Sequence, residues 1–179
     1  MKEVSIGDGE KLWGPPERVV LVTSVDGEGK ANIISVGWAM RANMAPPVFA
    51  IGLGKKSHSC ASISASGEFV FCLPGTSLAQ QVMYCGTHSG REVDKFAETG
   101  LTALPASRVK APLIGECLAS FECRVVASQD IGDHRVFFGE VLATWQGERR
   151  EPHLLVVGEG AGYETVHEEG SFRLGAVRA

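Results

Sequence analysis

Regular patterning begins at Arg18 to Val25, a run of β-branched and apolar residues that reads as a strand. Asp26-Gly27-Glu28-Gly29-Lys30 follows as a turn whose residues tolerate positive φ, and Ala31 to Met40 reads as a returning strand, so this stretch predicts a hairpin. Ala45-Pro46-Pro47 halts regular structure, and Val48 to Leu53 is a short apolar run suited to a buried third strand. The pattern then changes. Gly54 to Ser59 leads into Cys60 to Ser66 and closes at Gly67, which predicts a short helix capped by Ser57 or Ser59 and ended by glycine.

Phe69 to Leu73 reads as the next strand. Ser77 to Tyr84 and Arg91 to Glu98 read as helices, the first with Leu78, Val82 and Met83 near one face, the second ended by Gly100. From Glu116 the pattern returns to β: Leu118 to Ala127 and Arg135 to Trp145 form two long strands around the turn Gln129 to Asp133, and Leu154 to Val157 adds one more. Strands at both ends with helices clustered in the middle predict a mainly β chain. That order favours a closed antiparallel barrel over a doubly wound α/β sheet, which would alternate the two regularly. The expected organisation is a single domain over residues 1–179, with no repeat or low-complexity tract.

Composition narrows the function classes. The 179 residues, 44% apolar and 21% charged, suffice for a real core, and 22 scattered glycines fit many tight turns. A net charge of -4 without a basic stripe argues against nucleic acid as a partner. Acidic residues occupy the N-terminus where a signal peptide needs an apolar run, and no segment has the length to span a bilayer, so a cytoplasmic protein without membrane contact is expected. Cys60, Cys72, Cys85, Cys117 and Cys123 are an odd set without a C-x-x-C pair; they read as buried thiols, and no metal site is expected. Cys117 and Cys123, six apart in a strand pattern, are expected to share a face.

Candidate chemistry concentrates in Gly52-Leu53-Gly54-Lys55-Lys56-Ser57-His58-Ser59, where a strand opens through glycines and lysines into a capped helix start. Backbone N–H groups, the positive end of a helix dipole, hydroxyls and lysines there favour an anion such as phosphate; a solvated strand-to-helix turn is the plain alternative. It is not a P-loop, because Lys56 follows Lys55 where Ser or Thr is needed. Gly158 to Gly162 falls one spacing short of a dinucleotide turn and reads as a loop. A second patch, Gly86 to Phe96, offers Arg91 and Lys95 to an anion, the alternative being a surface Arg91–Asp94 pair. No G-x-S-x-G elbow supports a hydrolase. His134 opens a strand after Gly132-Asp133, where it faces a pocket mouth or is simply an exposed turn histidine.

Taken in order, Asn32-Ile33-Ile34-Ser35-Val36-Gly37-Trp38-Ala39-Met40, Pro46 to Ile51, Lys55 to Ser59, and Ser89-Gly90-Arg91 with Asp94-Lys95-Phe96 resemble the flavin-reductase-like, FMN-binding split-barrel family, most closely its flavoredoxin branch. The resemblance runs from about Pro16 to Trp145. It implies a homodimeric split β-barrel with FMN near the subunit interface. Ser35, Val36, Gly37, Trp38 and Ala39 would lie along the isoalloxazine. Leu53, Gly54, Lys55, Ser57, His58 and Ser59 would hold the ribityl phosphate, and Ser89, Arg91 and Lys95 would complete the anion site. His134 matches a histidine near the flavin's open face, where it would orient a nicotinamide or move a proton. Gly37 stands where many relatives carry Ser or Thr, which leaves a backbone N–H in place of a side-chain hydrogen bond.

The implied activity is transfer of electrons from NAD(P)H, a co-substrate, through FMN to a flavin, ferric iron or a partner redox protein. The alternative is a carrier with tightly bound FMN and no nicotinamide site. A barrel of this shape holding haem, a deazaflavin or nothing is a third reading.

Overall fold

Val20 and Val22 point to one side of their strand and Leu21 to the other, and all three are fully buried, which is why this stretch of sequence is apolar without alternation. The structure, a computed structural model, describes residues 2–12, 16–157 and 163–177. In chain order its elements are α1 (Ile6–Leu12), β1 (Glu17–Arg18), β2 (Val20–Val25), β3 (Ala31–Val36), β4 (Ala39–Met44), β5 (Pro47–Gly54), α2 (His58–Ser66) and β6 (Glu68–Leu73). There follow α3 (Ala79–Thr87), entered through a 3₁₀ turn at Thr76–Leu78, α4 (Lys95–Thr99), β7 (Ala103–Leu104), β8 (Leu113–Ile114), β9 (Ala119–Ile131), β10 (His134–Gln146), β11 (Leu155–Val156), β12 (Tyr163–Glu169) and β13 (Phe172–Val177).

Seven strands form one antiparallel sheet in the order β3-β2-β6-β9-β10-β5-β4. Its two edge strands, β3 and β4, are consecutive in the chain and joined only by Gly37-Trp38, so the sheet curls back on itself without hydrogen-bonded closure. The barrel is therefore split, where the strand pattern alone suggested a closed one. Val20, Val22, Ile51, Phe69 and Phe137 fill its interior, beneath α2. On the outer face Leu21, Ile33 and Val70 pack against Val82 and Met83 of α3. A second sheet, β1-β11-β13-β12, joins this outer core through Leu154 and Leu174.

Several sequence expectations are corrected. Ala31 to Met40 is two strands, because Ala39 N donates to Gly37 O (2.9 Å) in a tight turn and Gly52 N donates to Trp38 O (2.8 Å), which redirects the chain. The helix expected from Arg91 starts at Lys95, because Asp94 takes the N-cap and accepts from Phe96 N and Ala97 N. The Arg91–Asp94 pair accordingly does not form; Arg91 Nη1 donates instead to Lys56 O. Cys117 sits in the turn before β9 and belongs to the outer core, whereas Cys123 belongs to the barrel interior, so the two do not share a face. All five thiols are free and buried. Leu154 to Val157 contributes β11, but to the second sheet. Gly158 to Gly162 lies outside the described residues. β12 and β13 had no sequence expectation at all.

Candidate functional site

β3 is hydrogen-bonded along one side only, and its free edge organises the site. The Ile33 carbonyl on that edge accepts from Lys95 Nζ (2.8 Å), and the strand's two-residue repeat places the backbone groups of Ser35 on the same edge. Lys95 is 4% exposed and also donates to Cys85 O (2.7 Å) in the last turn of α3. Burial lowers its pKa, against the opposing pull of the Cys85 sulfur, while burial pushes the Cys85 thiol up to about 11. Lys95 thus pins α3 to β3, with two of its three N–H bonds committed. The two elements approach closely: Ser35 Oγ donates to Val82 O, and a Cβ at Gly86 would stand 3.4 Å from that of Ser35.

A cleft of about 420 Å³ follows this edge, within the roughly 300–1,000 Å³ of small-molecule sites. Ser35, Val36 and Gly37 line its length, with α3 on one flank and Leu53, Gly54 and His134 on the other. The second sheet supplies a wall through Val156, Phe172 and Leu174. A neighbouring cleft of about 680 Å³ meets it at Gly37, Trp38 and Glu17, and contains Ala39. Trp38 is 61% exposed, and its ring lies 4.5 Å from that of His134, between centroids. The indole can lie there because Gly52 beneath it has no side chain; a Cβ would come within 3.3 Å of Trp38 Cβ. His134 Nδ1 is 2.7 Å from Asp133 Oδ1, a hydrogen bond that lowers the Asp133 pKa and leaves Nε2 directed past Gly54.

At the barrel end, three segments converge. Ser57 Oγ caps α2 by accepting from Cys60 N (3.1 Å), so the positive end of the helix opens there. His58 lies 3.8 Å from Asp26. Asn32 Nδ2 donates to the buried Ser59 Oγ (2.7 Å), and Asn32 Oδ1 is buried with no partner. Gly90 is pressed against that oxygen: a Cβ would stand 2.0 Å away. Beside it, Ser89 Oγ accepts from Arg91 N (3.3 Å), and Arg91 Nη1 reaches Lys56 O (3.1 Å). Lys55 N donates to Asp133 O (2.9 Å), which ties this bend to the His134 turn, and both lysine side chains are exposed.

The expected residues therefore fall into two groups, both bordering β3. Ser35, Val36, Gly37, Trp38, Leu53, Gly54 and His134 line the cleft, Ala39 lines its neighbour, Ser57, His58, Ser59, Ser89 and Arg91 belong to the segments that meet at the barrel end, and Lys55 lies in the bend tied to Asp133, with Lys95 bonded to Ile33 between the two groups. Sequence reasoning missed Asn32, whose polarity on the inward face of an apolar strand was the available signal, and it missed Glu17 and Phe172, for which there was none. Among the described residues no group of three His, Cys, Asp or Glu could hold a metal, and no helix has the length and apolarity to cross a membrane.

The β3 edge thus carries a cleft along Ser35 to Gly37, and at Asn32 the same strand meets the capped start of α2. Residues 14–166 match the family model of the flavin reductase like domain. The chain belongs to the flavin reductase-like family. Among its relatives, the reductase subunit of a flavin-dependent monooxygenase from Rhodococcus jostii is 30% identical over 150 residues, 82% of this chain and 71% of that protein. Flavoredoxin of Desulfovibrio vulgaris superposes with a TM-score of 0.73 at 27% identity, covering 82% of this chain and 90% of the other. Flavoredoxin from Methanosarcina acetivorans gives 0.76 at 27% identity, covering 90% and 95%. The flavin reductase-like fold is thus the split barrel described above.

Proposed function

We propose that this chain binds FMN in the 420 Å³ cleft and works as a flavin reductase-like oxidoreductase, taking electrons from NAD(P)H and passing them to a flavin, ferric iron or a partner redox protein. The observation that carries this reading is the free edge of β3. It offers the Ser35 backbone to a flat heteroaromatic ring, and it ends in a buried, unpartnered amide oxygen beside the α2 N-terminus. A phosphorylated polyol attached to that ring suits both ends: its hydroxyls would donate to Asn32 Oδ1, and its dianion would meet the helix end, Lys55, Ser57, His58, Ser59, Ser89 and Arg91.

The flavin, when bound, supplies the redox chemistry; the protein holds and tunes it. Ser35 and Gly37 present backbone groups to the ring, Val36 lines the cleft beneath it, and Trp38 and Ala39 flank it. Lys95 fixes the strand on this same edge, through the Ile33 carbonyl, and its positive charge would add to the anion site. His134, oriented by Asp133, stands at the rim, where Nε2 would orient a nicotinamide or move a proton. The exposed apolar side chains of Trp38, Met40 and Met44, in and beside edge strand β4, suit a second copy of the chain, so the working unit is a homodimer.

The flavoredoxin neighbours favour a second reading, a carrier that keeps its FMN and has no nicotinamide site. One experiment separates them. Purified protein loaded with FMN is mixed anaerobically with NADH or NADPH while its visible absorbance is followed. Rapid bleaching supports the reductase. Bleaching only by dithionite or a reduced partner protein supports the carrier, and protein that takes up no FMN overturns both.

A further inference from the structure

Glu17 occupies the seam between the two clefts and lines both. Pairing of β1 with β11 places it opposite Val156, and its Oε2 lies 3.6 Å from where a Cβ on Gly37 would stand. The side chain is half-buried, yet among the described residues it makes no hydrogen bond and no ion pair. None of the charged groups around it is paired with it among the described residues. His134 is held by Asp133 across Trp38, Arg173 of β13 pairs with Glu168, and the exposed Arg18, which also lines the larger cleft, makes no ion pair with Glu17. An unneutralised carboxylate thus stands against the Gly37-Trp38 backbone that borders the proposed ring site.

We propose that Glu17 sets the reducing power of the flavin in this cleft, an inference that rests on the FMN reading above. Two-electron reduction yields either the neutral product, FMN + 2e⁻ + 2H⁺ → FMNH₂, or the anion, FMN + 2e⁻ + H⁺ → FMNH⁻. A fixed negative charge beside the ring disfavours the added electron density in both and the anion most, so reduction becomes less favourable and the reduced flavin a stronger donor. The position suits a protein that must pass electrons onward. Gly37 matters here because a side chain at that position would stand in contact with the carboxylate, 3.6 Å from its Oε2.

The test is the midpoint potential of FMN-loaded protein at fixed pH and low salt, measured against a reference dye for wild type, Glu17→Gln, Glu17→Asp and Glu148→Gln, the last an exposed carboxylate lining a different cleft. FMN affinity is measured on the same samples. Glu17→Gln is expected to favour reduction by about tenfold, a rise of about 30 mV for a two-electron couple, with Glu17→Asp and Glu148→Gln close to wild type. If every protein binds FMN and all share one potential, the Glu17 assignment falls alone. If wild type takes up no FMN, the FMN reading falls and this one with it.

Discussion

The Trp38 indole and the His134 imidazole lie 4.5 Å apart between centroids, inclined at 41°, and both line the cleft. Packing against Trp38 and the hydrogen bond to Asp133 together fix where His134 Nε2 points. His134→Ala is therefore expected to slow reduction by NAD(P)H by about 10²-fold, the scale of a lost acid–base or orienting group, while FMN stays bound. Stopped-flow bleaching under anaerobic conditions measures the rate, and a variant reacting at the wild-type rate removes His134 from the mechanism.

Lys95 holds two buried carbonyls, those of Ile33 and Cys85. Lys95→Ala leaves both without a donor, at about 1–3 kcal/mol for each buried group, and should also weaken FMN binding by releasing the β3 edge. Urea midpoints of the apoprotein report the first effect and fluorescence titration with FMN the second. Unchanged affinity with lowered stability would make Lys95 a purely structural clamp.

A methyl group at position 90 must displace the Asn32 amide, since it would stand 2.0 Å from Oδ1. Gly90→Ala is expected to cost about 1–3 kcal/mol and to weaken FMN binding, whereas Asn32→Ala should weaken binding and relieve part of the Gly90→Ala penalty. A double-mutant cycle reads the coupling; strict additivity would mean the two positions act independently.

Glu122 predicts a pH dependence. It is fully buried, which alone would raise its pKa, but hydrogen bonds from Ser107 N (2.9 Å), Trp145 Nε1 (2.6 Å) and Arg108 N outweigh burial and hold it below its ordinary 4.5. A folded-state pKa below the unfolded value stabilises the protein above pH 4.5, and that stability disappears as the pH falls through the folded value. Glu116 and Glu151, also lowered, act in the same window. Urea midpoints should drop as the pH falls below 4.5, and Glu122→Gln, less stable at neutral pH, should show a shallower drop; parallel curves would assign the acid sensitivity to other groups.

The barrel was legible because its strands declare themselves. β2 and β6 are apolar on both faces, and Gly67 and Gly100, at φ 71 and 68, end helices where the sequence places them. The break at Gly37-Trp38 was not legible, since a tryptophan among apolar neighbours reads as more strand and the turn depends on hydrogen bonds from Ala39 and Gly52. β12 was hidden by its composition: it is mostly exposed and polar, and pairs only with β13. The resemblance supplied one side of the cleft, whereas Glu17 and Phe172 come from opposite ends of the chain and meet only through β11 and β13. No local pattern marks a contact of that separation.

The wall of the cleft also bears on traffic. Leu174 is locked in the outer core, whereas Phe172, two residues earlier on the same strand, is 59% exposed. A strand anchored so close to its free ring has little room to swing, and passage past it needs only rotation of a single aromatic side chain, a nanosecond-scale event for an exposed residue. Exchange of small molecules at this mouth should therefore be limited by how firmly the far end is gripped and not by any hinge.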